Sequence, residues 1–258
     1  MIQKEFADRA IEILKDDKNV IGLAVAGSWL TNEIDEFSDL DLILVTQTKL
    51  SDDKQKMLKY AKRLGQLLSG FTGEHVGEPR VLICLYDNPL LHVDIKFLTL
   101  EEFHQRIETP YILLDTDERL KKVIEQTESN FPYPDYQWIE DRFWIWVHYI
   151  LSKIGRGEYL EAFDCFSFLR MVVFGPLLHI KNGNLPRAVR KVETSLETKD
   201  FELLKATIPN YSKSSLLDSL QNTVSLYRQL RDALFTKNVI VDNNTETSVM
   251  KYFEKIKA

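Results

Sequence analysis

The stretch "VAGSWLTNEIDEFSDLDLILV", residues 25–45, constrains the fold more than any other part of the chain. The apolar run "VIGLAVA" leads into Gly27 and Ser28, and after a spacer of ten residues Asp39 and Asp41 flank Leu40 at the mouth of a second run, "DLILVT". Short runs of this kind, rich in aliphatic and β-branched residues, read as buried strands. Two residues apart on a strand, Asp39 and Asp41 project to the same side. Held there without a counter-charge they repel, and a divalent cation between them removes the repulsion. Hard carboxylate oxygens suit Mg²⁺, which keeps open positions for phosphate oxygens and water. Gly27 permits close backbone approach, and its loop amides with the Ser28 hydroxyl suit a phosphate at a helix start.

The rest of the first half reads as a small sheet with helices. Phe6, Ile11, Ile13 and Leu14 recur at helical spacing over residues 3–16. Ser51 reads as the N-cap of a helix carrying Met57, Tyr60, Ala61, Leu64, Leu67 and Leu68, ended by Gly70. "RVLICLY" (80–86) and "LHVDIKFLTL" (91–100) read as strands joined by the turn residues "DNP", and "YILLD" (111–115) as a last short strand. Alternation in 91–100 places His92, Asp94 and Lys96 on one face and Val93, Ile95 and Phe97 on the other. Asp94 is the third candidate carboxylate. Its bland alternative is a strand-edge acid paired with Lys96 or an arginine.

"ESNFPYPDYQW" (128–138), with two prolines, reads as the domain boundary. Beyond it the pattern is helical throughout: Trp138 to Ile154 ended by Gly155, 158–174 apolar nearly all round, Leu216 to Leu234, and Val249 to Ile256. The expected architecture is α+β: a mixed-sheet domain over 1–130, then an all-α helical bundle over 131–258.

The "GS", ten-residue spacer, "DLD" pattern resembles the nucleotidyltransferase superfamily with the DNA polymerase β-like catalytic fold. With an aspartate-bearing later strand and a helical second half, it resembles the aminoglycoside and lincosamide adenylyltransferase branch in particular. The resemblance implies that Gly27 and Ser28 hold nucleotide phosphates and that Asp39, Asp41 and Asp94 hold Mg²⁺, two ions being expected, with ATP as co-substrate. It leaves Asp94 as either metal ligand or general base. The implied reaction moves AMP from ATP to a hydroxyl of a small polar acceptor, such as an aminoglycoside-type antibiotic, and releases pyrophosphate. The rival readings are a protein-adenylylating enzyme of toxin–antitoxin type and a nucleotide-binding regulator without catalysis. The helical domain is expected to close the acceptor cleft.

Composition bounds the partners. The formal net charge is -6 with no long basic run, against a nucleic-acid binder. No apolar segment long enough to span a bilayer and no signal-peptide core are read from the sequence, so a cytoplasmic, membrane-free enzyme is expected. Cys84 and Cys165 lie in apolar runs and read as buried reduced thiols. His92 reads as a hydrogen-bonded bystander, His148 and His179 as satisfied core or boundary residues, and Glu158 and Glu161 as a solvated helix face. Ser38 reads as a turn or cap hydroxyl, and Asp35 and Glu36 as solvated loop charges. Lys181, Arg187, Arg190 and Lys191 read as an exposed basic helix start or a triphosphate grip, and Trp138, Phe143, Trp144 and Trp146 as packing.

Overall fold

Alternating side chains sort the strands of the first half into a sheet with two unlike faces. The computed structural model describes all residues, 1–258, and the chain divides into two units, Met1–Phe131 and Pro132–Ala258. The first unit runs α1 (Ile2–Leu14), β1 (Val20–Val25), β2 (Leu40–Thr46), α2 (Lys54–Leu64), β3 (Gln66–Gly73), β4 (Glu78–Asp87), β5 (Leu91–Thr99), α3 (Leu100–Phe103), β6 (Tyr111–Asp115) and α4 (Arg119–Gln126). Its six strands form one mixed sheet in the order β3-β4-β5-β2-β1-β6, in which only β2 and β5 pair in parallel.

One face carries the main core. Leu42 and Leu44 of β2 and Val93, Ile95 and Phe97 of β5 bury against Phe6, Ala10 and Leu14 of α1 and Met57, Ala61 and Leu64 of α2. On the opposite face α3 and α4 cover Ile21, Ala24, Val45 and Leu98 through Phe103, Leu120 and Val123. Asp41, Asp94 and Lys96, at the other end of the same face, stay half-buried. β5 lies in the sheet interior, which excludes the strand-edge reading of Asp94.

One strand was not foreseen. The helix expected to run from Ser51 to Gly70 is shorter: Asp53 is its N-cap, accepting the Gln55 and Lys56 N–H groups at 2.9 and 3.3 Å, and Gly65 follows its last residue. Leu67 and Leu68 instead belong to β3, whose pairing with β4 overrides a continuous helical spacing.

The second unit is helical: α5 (Tyr136–Arg156), α6 (Tyr159–Leu169), α7 (Gly175–Lys181), α8 (Val192–Ser195), α9 (Thr198–Lys205), α10 (Lys213–Leu234) and α11 (Asn243–Lys257). Asp135 caps α5, and Gly157 at φ +77°, not Gly155, ends it in the left-handed conformation. A π-turn at Arg170–Phe174 joins α6 to α7. Phe143, Trp144, Val147, Phe166, Phe174, Leu220, Tyr227 and Phe253 fill the core. Within it Glu140 is 3% exposed and accepts the Tyr227 hydroxyl proton, while Arg231 lies 3.4 Å from Glu140 and 2.9 Å from Glu246.

Three expectations need correction. The 23-residue run Tyr159–Lys181 is long and apolar enough to cross a bilayer, with an 18-residue stretch of mean hydropathy 1.4, so the sequence does hold one such segment. Its Leu169, Val173, Phe174, Leu177 and Leu178 are fully buried in the helical core. Cys84 is buried but Cys165 only partly so. His148 is exposed, whereas His179 is 3% exposed and its Nε2 meets the Arg190 carbonyl at 3.0 Å.

Gly22 sits at the crowded centre of β1. An added Cβ there would meet the Leu114 carbonyl oxygen at 2.6 Å and both Leu120 methyls at 2.8 Å. Gly22→Ala is expected to lower stability by about 1–3 kcal/mol through overpacking, read as a lower urea midpoint; an unchanged midpoint would contradict this packing.

Candidate active site

The antiparallel β1–β2 ladder ends at the pair Val25↔Leu42, and the next residue, Ala26, donates its N–H to the Asp41 carbonyl at 3.0 Å. That bond carries Gly27 directly over the Asp41 side chain. A Cβ on Gly27 would lie 2.1 Å from Asp41 Oδ2, and the glycine holds φ +64°. Both constraints exclude any larger residue.

Gly27, Ser28 and Trp29 form a single 3₁₀ turn, with Leu30 N–H bonded to the Gly27 carbonyl at 3.1 Å. No longer helix begins at Gly27, so the helix-start contribution expected from sequence is missing and the donors that remain are loop amides and the Ser28 hydroxyl. The loop then returns to β2 through an ordered turn: Ser38 Oγ donates to Asp35 Oδ1 at 2.8 Å, and the Phe37 N–H bonds the same oxygen at 3.0 Å. Ser38 is thus a turn hydroxyl, and those two bonds hold the exposed Asp35 carboxyl below its usual range. The buried Gln3 of α1 pins this turn, its Nε2 donating to the Asp35 and Ser38 carbonyls at 2.9 and 2.8 Å.

The parallel β2–β5 register pairs Asp41 with Asp94 and Leu40 with Val93. Neighbours paired in this way project from the same side of the sheet, with backbones about 4.8 Å apart. Asp39 lies one residue before β2, and the alternation of half-buried Asp39 and Asp41 with buried Leu40 and Leu42 keeps the two acids on one side. Asp39 and His92 line a common shallow groove with Phe37 and Leu90. His92 Nε2 is 2.8 Å from Asp94 Oδ1, so the bystander histidine in fact contacts a candidate carboxylate.

No three carboxylate or imidazole side chains converge as they stand into a ready-made ion site. The donor set fits Mg²⁺ in chemistry, all hard oxygen, and Asp41 and Asp94 are neighbours in register.

Lys96 does not pair with Asp94. It lies 2.8 Å from Glu78 Oε2, and Arg80 grips Glu78 with two bonds of 2.7 Å. The Arg80 bonds, then Lys96, hold the Glu78 carboxyl at about 2 despite the opposing effect of burial. This cationic pair with its acid, on strands β4 and β5, was not singled out from sequence.

Glu108 was also missed. Its Oε1 accepts the Gly27 N–H at 3.1 Å, although 81 residues separate them. In "QRIETP" it looks like any polar loop acid; only the β1–β6 pairing brings it to the glycine.

In the helical unit Glu158 and Glu161 are both exposed, as a solvated face, and both pair with Lys153 at 2.8 and 2.9 Å. Lys181 bonds the buried Asp200 at 2.5 Å and is committed to structure. Phe143 and Trp144 are buried packing, while Trp138 is 38% exposed with the Arg142 guanidinium 4.5 Å from its ring.

A glycine-serine turn seated on an aspartate pair of a mixed sheet, followed by a helical unit, is the construction of a nucleotidyltransferase. The sequence profile of the streptomycin adenylyltransferase family matches residues 2–256, nearly the whole chain, and the chain belongs to that family. It is therefore an adenylyltransferase by family. Among solved structures it is similar to an aminoglycoside 6-adenyltransferase from Bacillus subtilis, at 17% identity over 99% of this chain and 98% of that one, TM-score 0.43. A nucleotidyltransferase-like protein from Exiguobacterium sibiricum 255-15 matches at 12% identity over 97% and 89% of the two chains, TM-score 0.33. A spectinomycin adenyltransferase from Enterococcus faecialis, with ATP and spectinomycin, matches at 12% over 99% of each, TM-score 0.32. Scores this low add no argument to the family match. No curated protein sequence matches.

Gly27→Ala is expected to displace the Asp41 carboxylate and cut adenylyl transfer by about 100-fold or more, the cost of misplacing a reacting group by an ångström. Steady-state rates on protein with a native circular dichroism spectrum check this; activity within a few-fold of the parent would contradict the close packing.

Proposed function

We propose that the protein transfers AMP from ATP to a hydroxyl of an aminoglycoside-type acceptor, with Mg²⁺ held by Asp39, Asp41 and Asp94. The observation that carries this reading is the in-register pairing of Asp41 with Asp94 directly beneath Gly27. Family membership supports ATP as co-substrate and an aminoglycoside as the acceptor class. A net charge of -6 suits a polycationic acceptor.

The acceptor oxygen bonds to the α-phosphorus as the bond from that phosphorus to the bridging oxygen breaks, releasing pyrophosphate. Mg²⁺, when bound, supplies neutralisation of the triphosphate and polarisation of the α-phosphate. The Gly27 and Ser28 turn orients the phosphates by amide and hydroxyl donation. Asp94 would serve as the third carboxylate for the ion, with His92 bonded to one of its oxygens fixing it, and the hydroxyl proton leaves to solvent as the acceptor oxygen bonds to phosphorus. Position and charge then lower the barrier without a covalent enzyme intermediate.

Pyrophosphate release from each of the four common nucleoside triphosphates, against a panel of streptomycin, spectinomycin, other aminoglycosides and lincosamides, tests the reading. Release is expected with ATP, only in the presence of an aminoglycoside-type acceptor, and reduced by about 100- to 1,000-fold in Asp41→Asn and Asp94→Asn. Turnover indifferent to both substitutions, or none with any acceptor, would refute it.

A further inference from the structure

The run-outs of two paired strands create a contact that the proposed reaction does not use. β1 and β6 are antiparallel, with Val25 opposite Tyr111 at the end of their ladder. Just past Val25 the chain reaches Gly27, and just before Tyr111 it passes Glu108, so the two segments face one another. The loop bearing Glu108 is held firmly on both sides. Arg106 donates to Thr127 Oγ1 and to the Ile124 and Thr127 carbonyls, the Asn130 N–H bonds the Arg106 carbonyl at 2.9 Å, and Pro110 is buried. Glu108 is itself half-buried, and its Oε1 takes the Gly27 N–H at 3.1 Å.

A carboxylate oxygen on the amide of a glycine turn makes the contact that a phosphate oxygen makes. A seated polyphosphate oxygen and the Glu108 carboxylate would compete for that amide. The amide has one proton, and the charges of carboxylate and phosphate repel when no donor lies between them. The Asp41 carboxylate already abuts Gly27, and the amide contact offsets part of the cost of bringing a second negative group to this glycine.

We propose that Glu108 is an internal phosphate mimic: it occupies the Gly27 amide in the nucleotide-free enzyme and is displaced by the triphosphate of the incoming nucleotide. The proposal rests on the assignment of Gly27 as a phosphate-binding turn. Its consequence is that nucleotide affinity is set by competition with a side chain of the protein itself. Displacement also leaves Glu108 poised to return to the amide as pyrophosphate departs.

Calorimetric titration of Mg²⁺ with the non-reactive α,β-methylene analogue of ATP, into wild type, Glu108→Gln and Glu108→Ala, tests this, with adenosine as a phosphate-free control. Glu108→Ala is expected to bind the analogue on the order of tenfold more tightly than wild type, the scale of one charge-assisted hydrogen bond. Glu108→Gln, which keeps an acceptor and loses the charge, should fall between them, and adenosine binding should not change. If Glu108 merely braces the turn, Glu108→Ala binds the analogue equally or more weakly, and the proposal fails while the nucleotidyltransferase reading stands. A folded wild type that binds no analogue at all would overturn both.

Discussion

The parallel pairing of β2 with β5 is the constraint on which the rest of the first unit depends. It sets Asp41 beside Asp94 in register, and because parallel neighbours cannot be joined by a tight turn, the chain between them needs a long crossover. That crossover supplies α2, β3 and β4, which bury the apolar side of both strands and widen the sheet. The antiparallel pairing of β1 with β2 works in the opposite sense: it begins and ends the 26–39 loop at the same edge of the sheet as the aspartates. Gly27 is the residue at which these two geometries meet, and the absence of a side chain there is what lets them meet.

Charge placement follows from the same arrangement. One face of the sheet is closed by α1 and α2, and the other is closed by α3 and α4 over Ile21, Ala24, Val45 and Leu98, with Asp41 and Asp94 half-buried at its acid-bearing end. Lys96 is drawn off by Glu78, which itself is held by Arg80, so the nearest cation on the strand does not neutralise Asp94. The partner of Asp94 is instead His92, 2.8 Å away. In the helical unit the buried acid is handled differently. Glu140 is satisfied by Tyr227 and Arg231, and Arg231 is shared with Glu246, so α5, α10 and α11 are tied through one polar cluster inside an apolar core.

What could be read directly from the chain was whatever depends on local periodicity. The "GS" turn, the two strands around it, the alternation of His92, Asp94 and Lys96, and the helical second half are all visible because side-chain period reveals which face is buried. Strand β3 was hidden because Leu64, Leu67 and Leu68 continue a helical spacing across Gly65, and only partner strand β4 decides the matter. Gly157 rather than Gly155 ends α5 for a comparable reason: either glycine can stop a helix, and tertiary packing selects which one does. Glu108 and the Glu78–Arg80–Lys96 group depend on which strands become neighbours, which no local pattern specifies. The apolar run Tyr159–Lys181 shows the same limit from the other side, since composition alone does not distinguish a core helix from a membrane helix.

The proposed reaction depends on Asp41 and Asp94, side by side on parallel strands, holding the divalent ion together. Titration of Mn²⁺ followed by electron paramagnetic resonance, with the methylene ATP analogue present, measures that occupancy directly. Stoichiometric, nucleotide-dependent Mn²⁺ binding is expected in wild type and is expected to be lost in both Asp41→Asn and Asp94→Asn. Undiminished Mn²⁺ binding in those two variants would contradict it.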